Sequence, residues 1–208
     1  MSRFIGRDNL RTRLAPLEGA PGRTTYAGGA ATVEPEGGEA LVARPPFGLA
    51  HEGRYDEVHL GPLLDEIAAD RIVAVLLVRL GGYAVGVFEG ERLAASKVGS
   101  RFVKGRHKKG GSSANRFRRR REEQARALVE EAAEVAVTVL APWRDRVEAA
   151  ALGGDRAAVD AVLAARPDLA WLRERALARF FTVPEPRLRV LERLPYDLYA
   201  VEVRQPTE

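Results

Sequence analysis

The sequence contains no cysteine, and its 208 residues include only three histidines and 7% aromatic residues. The absence of cysteine excludes a disulfide framework and any zinc site built from thiolates. His51, His59 and His107 are scattered without the spacing of metal ligands, so we predict neither a metal nor another cofactor. No apolar run approaches the roughly eighteen residues of a membrane span, and the N-terminus has no apolar signal segment. These absences predict a cytoplasmic protein with no membrane partner.

The segment from residue 97 to residue 121 carries charge of one sign only. It holds eleven of the 33 Lys and Arg residues and no Asp or Glu, although the net charge of the whole chain is only +4. A cationic block of this density indicates a polyanionic partner. Gly110 and Gly111 lie near its centre, and backbone without side chains can enter a narrow space. The segment is therefore predicted to reach into a nucleic acid with a slender tip.

The cationic side chains of this segment are the candidate phosphate contacts. Lys and Arg bind phosphates and orient a protein on nucleic acid without reading base sequence. The candidates are Lys104, Arg106, His107, Lys108, Lys109, Arg116, Arg118, Arg119, Arg120 and Arg121. The last four lie near the start of a predicted helix, where cations oppose the helix dipole, and a bound polyanion would offset that cost. The alternative is a solvated helix face that pairs locally with Glu122 and Glu123.

Hydrophobic patterns predict an α+β (mixed α/β) fold. The predicted order begins with strands at 71–80, 83–89 and 92–98, a helix at 115–140, a strand at 147–154 and a helix at 155–165. It continues with a short helix at 167–178, a short strand at 180–183, a strand or helical turn at 187–193, and a strand at 198–203. Three leading antiparallel strands, followed by helices and further strands, are the plan of a ribonuclease-H-like mixed sheet flanked by helices.

The chain is predicted to have two parts. Residues 1–55 form a small N-terminal accessory unit that is rich in loops, with a short helix at 8–18 and a hairpin that pairs 31–33 with 40–43. Residues 56–208 form the main domain, which carries the basic Gly-Gly loop at about 99–116.

Other proteins that act on phosphates or bind nucleic acid need residues that this sequence lacks. A two-metal nuclease needs carboxylates on adjacent strands, but the strand at 72–78 has none. Asp155 and Asp160 are instead interpreted as a helix cap and a helix-surface residue. A Walker loop is excluded because no Gly-Lys-Ser/Thr follows a four-residue spacer. A DNA-binding domain is the weakest alternative, since there is no helix-turn-helix or zinc pattern.

The three strands, the loop Lys109-Gly110-Gly111-Ser112-Ser113 and the long basic-to-acidic helix resemble the catalytic domain of eukaryotic and archaeal translation termination factors. Over residues 56–204 the chain is more similar to release-factor-like peptidyl-tRNA hydrolases of ribosome quality control, particularly their actinobacterial branch. The resemblance implies that the loop enters the peptidyl transferase centre of stalled 50S complexes and promotes hydrolysis of the peptide–tRNA ester. It implies large-subunit rRNA and peptidyl-tRNA as partners, and we expect the protein to act as a monomer.

The tip of the loop departs from that family. Gly110 and Gly111 match the family's glycines, but Ser112 and Ser113 stand where the family carries a glutamine, and the nearest glutamine is Gln124. Either backbone N–H groups and a serine hydroxyl place the water, which makes these four tip residues catalytic, or catalysis is weakened or lost. The second possibility leaves an alternative function, a non-catalytic ribosome or tRNA binder that occupies the same site.

Overall fold

The structure, a computed structural model, describes residues 3–79, 81–100 and 112–206. Its strands are β1 Arg3–Ile5, β2 Pro21–Ala27, β3 Ala30–Pro35, β4 Leu41–Arg44, β5 Gly53–Glu57, β6 Ile72–Arg79, β7 Gly82–Glu89, β8 Arg92–Ser100, β9 Ala149–Gly154 and β10 Val201–Arg204. Its α-helices are α1 Arg7–Leu14, α2 Gly61–Ala68, α3 Ser112–Leu140, α4 Arg156–Ala165, α5 Trp171–Glu174, α6 Leu188–Glu192 and α7 Leu194–Leu198.

The chain divides into two compact units. The first contains Met1–Asp70 together with Leu194–Glu208, and the second contains Arg71–Arg193. This division differs from the predicted boundary at residue 55. The first unit extends to residue 70 because α2 supplies part of its core, and the C-terminal strand β10 returns to its sheet.

The first unit is a six-stranded antiparallel sheet in the order β1-β10-β4-β3-β2-β5. Leu10 and Leu14 of α1 recur at helical spacing, as do Leu63 and Ile67 of α2, and all four side chains are buried in one cluster with Tyr26 of β2. The predicted N-terminal helix is confirmed as α1 with the 3-10 turn that follows it. The predicted hairpin is confirmed as the antiparallel pairing of β3 with β4.

Two predictions are corrected here. The stretch predicted to be loop-rich contains β2 and β5. The final strand is confirmed, but it begins at Val201 and not at residue 198, after a short helix that occupies Leu194–Leu198. That strand pairs antiparallel with β1 and β4, so it does not belong to the ribonuclease-H-like sheet. The alternation of apolar and polar residues in the sequence predicts a strand with one face toward a core. It does not specify the partner strand.

The second unit contains the predicted ribonuclease-H-like sheet. Its order is β8-β7-β6-β9, in which β6, β7 and β8 are antiparallel neighbours and β9 runs parallel to β6. Residues Val73–Val78 of β6 are all fully buried, as expected for a strand covered on both faces. The mixed α/β class and the three leading antiparallel strands are therefore confirmed.

Helices cover both faces of this sheet. On one face, α3 and α4 enclose a core that includes Leu76, Val85, Leu128 and Leu163. On the other face, Leu191 of α6 lies against Gly86 of β7. Among the residues that the structure describes, no helix is long and apolar enough to cross a membrane.

The segments after α4 are less regular than predicted. The helix expected at 167–178 is a 3-10 turn at Pro167–Leu169 followed by α5, and the segment 187–193 is helical as α6. The strand expected at 180–183 is reduced to one bridge between Phe181 and Gly153. Pro184 and Pro186, which follow it, have no N–H groups with which to extend a ladder.

Candidate nucleic-acid interface

The basic segment, residues 97–121, runs from the end of an edge strand into the longest helix of the second unit. Strand β8 ends at Ser100, opposite Gly82, and α3 begins at Ser112. The predicted contacts Lys104, Arg106, His107, Lys108 and Lys109 and the tip glycines Gly110 and Gly111 lie outside the described residues. The described part of the site is therefore the strand that precedes them and the helix that follows.

The helix begins earlier than predicted. The sequence predicted a start at Asn115, but Ser112 and Ser113 already belong to the first turn of α3. The first N–H groups of a helix have no partner within it and can donate to an external acceptor. The two serines thus lie at the end of the helix whose backbone N–H groups can act as donors.

The predicted arginines lie on this helix. The helix includes Arg116, Arg118 and Arg121, whose side chains the structure does not describe. Arg119 and Arg120 are exposed. Farther along the helix Arg126 is also exposed, but exposed Glu122 and Glu123 lie between it and the arginine run.

The two halves of α3 differ in burial. Leu128, Ala132, Ala136 and Leu140 are buried in the core of the second unit, at the spacing of one helix face. None of the described side chains from residue 119 to residue 127 is buried. At 1.5 Å per residue, Ser112 lies about 24 Å along the axis from Leu128. The helix therefore holds its first turn far from the residues that anchor it.

Charge is divided unequally between the two units. The second unit has 25 Lys and Arg residues against 15 Asp and Glu residues, a net charge of +10. The first unit has 8 against 14, a net charge of −6. Because like charges in one unit sum into a field that attracts a polyanion, the second unit is the one suited to bind nucleic acid.

The carboxylates that could have indicated a nuclease have structural roles. Asp155 caps α4 by accepting a hydrogen bond of 3.2 Å from the N–H of Ala158, and Asp160 forms a 2.7 Å ion pair with Arg173. Both interpretations from the sequence are confirmed. Within the described ranges, no group of three or more His, Asp or Glu side chains is arranged to hold a metal ion.

A groove of about 440 Å³ runs between α3 and α4 beside the end of β6. Its lining is mostly alanine and aliphatic, including Ala125, Val129 and Ala161. Two of its polar residues are engaged in the fold: Arg79 donates a 2.7 Å hydrogen bond to the carbonyl of Val183, and Asp155 is the helix cap. This lining favours a structural gap over a reaction site.

The sequence pattern missed three residues at the base of the basic segment. Gly99 of β8 is paired with Tyr83 of β7, and the Tyr83 hydroxyl donates a 2.9 Å hydrogen bond to Glu131 of α3. A glycine inside a strand often marks a close approach by another group, and Gly99 gave that signal. The glutamate on α3 gave none, because an acidic residue on a helix is ordinary.

Residues 71–204 match the sequence model of the Actinobacteria/chloroflexi VLRF1 release factor family, and this match spans more than half of the chain. The chain belongs to this family. The matched range contains the whole second unit, with its basic segment and α3, and it also includes β10. Membership in the VLRF1 release factor family indicates a release-factor-like role in translation.

Archaeal proteins are similar over parts of the chain. Peptide chain release factor subunit 1 of Archaeoglobus fulgidus is 26% identical over 96 residues, which are 46% of this chain and 24% of that protein. The crystal structure of the archaeal translation termination factor aRF1 has a TM-score of 0.45 at 15% identity, covering 82% of this chain and 49% of that one. A second structure, described as an archaeal protein, has a TM-score of 0.40 at 15% identity, with coverages of 77% and 50%. The chain thus spans about a quarter to a half of these relatives.

Proposed function

We propose that this VLRF1-family protein is a cytoplasmic peptidyl-tRNA hydrolase that acts on stalled large ribosomal subunits. The observation that carries the proposal is the place of the basic segment. It joins edge strand β8 to the end of α3 that is most distant from the core, in the unit that matches the release factor family. A segment held in this way is suited to enter a narrow, RNA-lined space ahead of the body of the protein.

Binding would come from the cationic side chains on both sides of the tip. Lys104, Arg106, His107, Lys108 and Lys109 precede Gly110, and the arginines from Arg116 to Arg121 follow Gly111. Contacts with rRNA and tRNA phosphates would supply affinity and orientation without sequence readout, which suits a factor that must act on many stalled complexes. The net charge of +10 on this unit supports such binding.

The proposed reaction is hydrolysis of the ester between the peptide and the tRNA. Water adds to the ester carbonyl, the carbonyl oxygen becomes an oxyanion, and the ribose oxygen of the tRNA leaves with a proton as the peptide acid forms. Gly110 and Gly111 would allow close approach, and Ser112 or Ser113 would place the water. The first N–H groups of α3, which have no partner within the helix, would donate to the water or the oxyanion.

The alternative function is a non-catalytic ribosome or tRNA binder at the same site. It is favoured by the position of Gln124, which lies within the continuous helix α3. At 1.5 Å per residue, eleven residues separate it from Ser113 by about 16 Å along the axis. Gln124 therefore cannot replace the family's glutamine unless the helix unwinds, and catalysis would depend on the serines and the backbone alone.

Release of labelled peptide from peptidyl-tRNA on 50S particles tests the proposal. The wild-type protein should release peptide, and the double variant Gly110→Ala/Gly111→Ala should release it about 100-fold more slowly because the tip can no longer approach the ester. Gly61→Ala is a matched control, since an added Cβ there meets nothing closer than 3.9 Å. Undiminished release by the double variant would overturn the mechanism. Tight 50S binding without release by the wild-type protein would favour the alternative.

A further inference from the structure

The end of β8 contacts the ring of a buried tyrosine. Gly99 and Tyr83 are direct partners in the β7–β8 ladder, and Tyr83 is only 2% exposed. A Cβ added at Gly99 would lie closer than 3.0 Å to the Cζ and Oη atoms of Tyr83, a separation that real Cβ atoms essentially never show. The Tyr83 ring therefore occupies the space that a side chain at residue 99 would need, and only glycine allows this packing.

The same tyrosine also reaches α3. Its hydroxyl donates a 2.9 Å hydrogen bond to Oε1 of Glu131, a half-buried residue that follows the anchored Leu128 by three positions. A hydrogen bond from a buried hydroxyl to a carboxylate is directional and stronger than one between neutral groups. Tyr83 thus connects β7, the last residues of β8 and the anchored half of α3.

This connection lies beside the end of β8 and on the anchored half of α3, the two elements that residues 101–111 join in the sequence. Residue 101 follows the β8 residues beside Tyr83, and residue 111 precedes the helix that Glu131 belongs to. A change in the angle between β8 and α3 would be magnified at Ser112, because that residue is about 28 Å along the helix axis from Glu131. A hydrogen bond that fixes this angle therefore restrains the position of Ser112.

We infer that Tyr83 and Glu131 are positioning residues for the peptide release proposed above. They hold the end of β8 against α3, and so they determine where the segment between these two elements is presented. The inference rests on the proposed function for its effect on catalysis. The structural part, that Tyr83 restrains the end of β8, can be measured without any substrate.

Tyr83→Phe is the appropriate variant, because it keeps the ring over Gly99 and removes the hydroxyl. Glu131→Gln should have a smaller effect, since the amide oxygen still accepts the hydrogen bond but without the charge that strengthens it. Thr138→Val is the matched control on the same helix. The Thr138 hydroxyl donates a 2.9 Å hydrogen bond to the carbonyl of Glu134, so this variant removes a hydroxyl that connects nothing to β8.

Three measurements are compared across these variants: amide hydrogen exchange of residues 97–100, the dissociation constant for 50S particles, and the single-turnover rate of peptide release. Tyr83→Phe should increase exchange about tenfold and decrease the release rate by a similar factor, with 50S affinity unchanged. Glu131→Gln should give an exchange rate and a release rate much closer to those of the wild-type protein than Tyr83→Phe does. A slower rate of peptide release from the bound complex, with the 50S dissociation constant unchanged, is the result that a positioning role predicts.

The inference is overturned if Tyr83→Phe and Thr138→Val give the same exchange and the same release rate. It is also overturned if Tyr83→Phe weakens 50S binding in proportion to release, because a general loss of structure would have that effect. If the wild-type protein itself releases no peptide, the proposed function fails. The exchange measurement then still decides whether Tyr83 restrains the end of β8.

Discussion

The two units of this protein have opposite charge, and the average over the chain conceals the difference. The first unit carries a net charge of −6 and the second a net charge of +10, while the chain as a whole carries +4. A polyanion is repelled by the first unit and attracted by the second. Nucleic-acid binding is therefore expected to belong to one unit, and the acidic unit is expected to take no part in it.

The two sheets also differ in how they are covered. Strand β2 of the acidic unit alternates, with half-buried Thr25 between buried Thr24 and Tyr26, whereas β6 of the basic unit is buried at six consecutive positions. Alternation is typical of an antiparallel sheet with one covered face, and a continuous apolar run is typical of a strand covered on both faces. Each unit accordingly has a separate apolar cluster.

Truncation of the two cores should give the largest effects. Leu140 of α3 and Leu63 of α2 are both fully buried, each in the core of its own unit. Replacing either by alanine should lower the free energy of unfolding of that unit by about 2–5 kcal/mol, because the removed atoms leave a cavity. Native-state hydrogen exchange, read separately for residues 71–193 and 3–70, measures the loss in each unit.

The comparison is between the two variants. Leu140→Ala should accelerate exchange mainly in the basic unit and Leu63→Ala mainly in the acidic unit. Equal acceleration of exchange throughout the chain by either variant would show that the two units unfold together. The two cores would then not be independent in stability.

The difference between the sheets explains how much of the fold the sequence could predict. The strands β6 and β7 carry long apolar runs and the second half of α3 has an apolar face, while β8 follows β7 after a short turn; the order and pairing of these strands are confirmed. The acidic unit has shorter strands separated by Gly and Pro, and one of its central strands, β10, comes from the other end of the chain. Local patterns contain no information about such a distant partner, so its sheet was predicted only as a hairpin.

The acidic unit should lose stability at high pH because of Tyr26. This side chain is 1% exposed and donates a 2.6 Å hydrogen bond to the carbonyl of His59, and burial raises the pKa of Tyr26 to about 12. In the unfolded chain the phenol ionises near pH 10, so the unfolded state releases its proton first as the pH rises. The free energy of unfolding should therefore fall between pH 10 and 12, by at most roughly 2–3 kcal/mol from this group.

Chemical unfolding at a series of pH values, for the wild-type protein and Tyr26→Phe, measures this effect. The variant should be less stable at neutral pH, by about 1 kcal/mol for the lost hydrogen bond. Because the wild-type protein loses more than this between pH 10 and 12, the difference should shrink and then reverse as the pH approaches 12. A constant difference across that range would contradict the prediction. The other tyrosines are present in both proteins, so their contribution cancels.

The candidate site was predictable only in part, for a different physical reason. Charge and glycine can be read directly from the sequence, and these identified the basic segment and the arginines of α3. Gly99, Tyr83 and Glu131 come from three elements and meet only when the sheet and the helix have assembled. The early start of α3 was missed as well, because two serines after two glycines are a weaker helix signal than the periodic residues that follow.

The smallest expected effect tests whether binding belongs to the basic unit alone. Arg119 and Arg120 on α3 and Arg11 and Arg13 on α1 are four exposed arginines, two on a helix of each unit. Arg119→Gln/Arg120→Gln should weaken 50S binding roughly tenfold at about 0.1 M salt. It should also reduce the slope of log K against log salt by about 1.4, or about 0.7 for each lost phosphate contact. Arg11→Gln/Arg13→Gln removes the same charge from the acidic unit and should change neither quantity.

Because the two variants alter net charge equally, any difference between them reports position and not total charge. An equal loss for both would show that the net charge of the chain attracts RNA, and the contrast between the units would then have no role in binding.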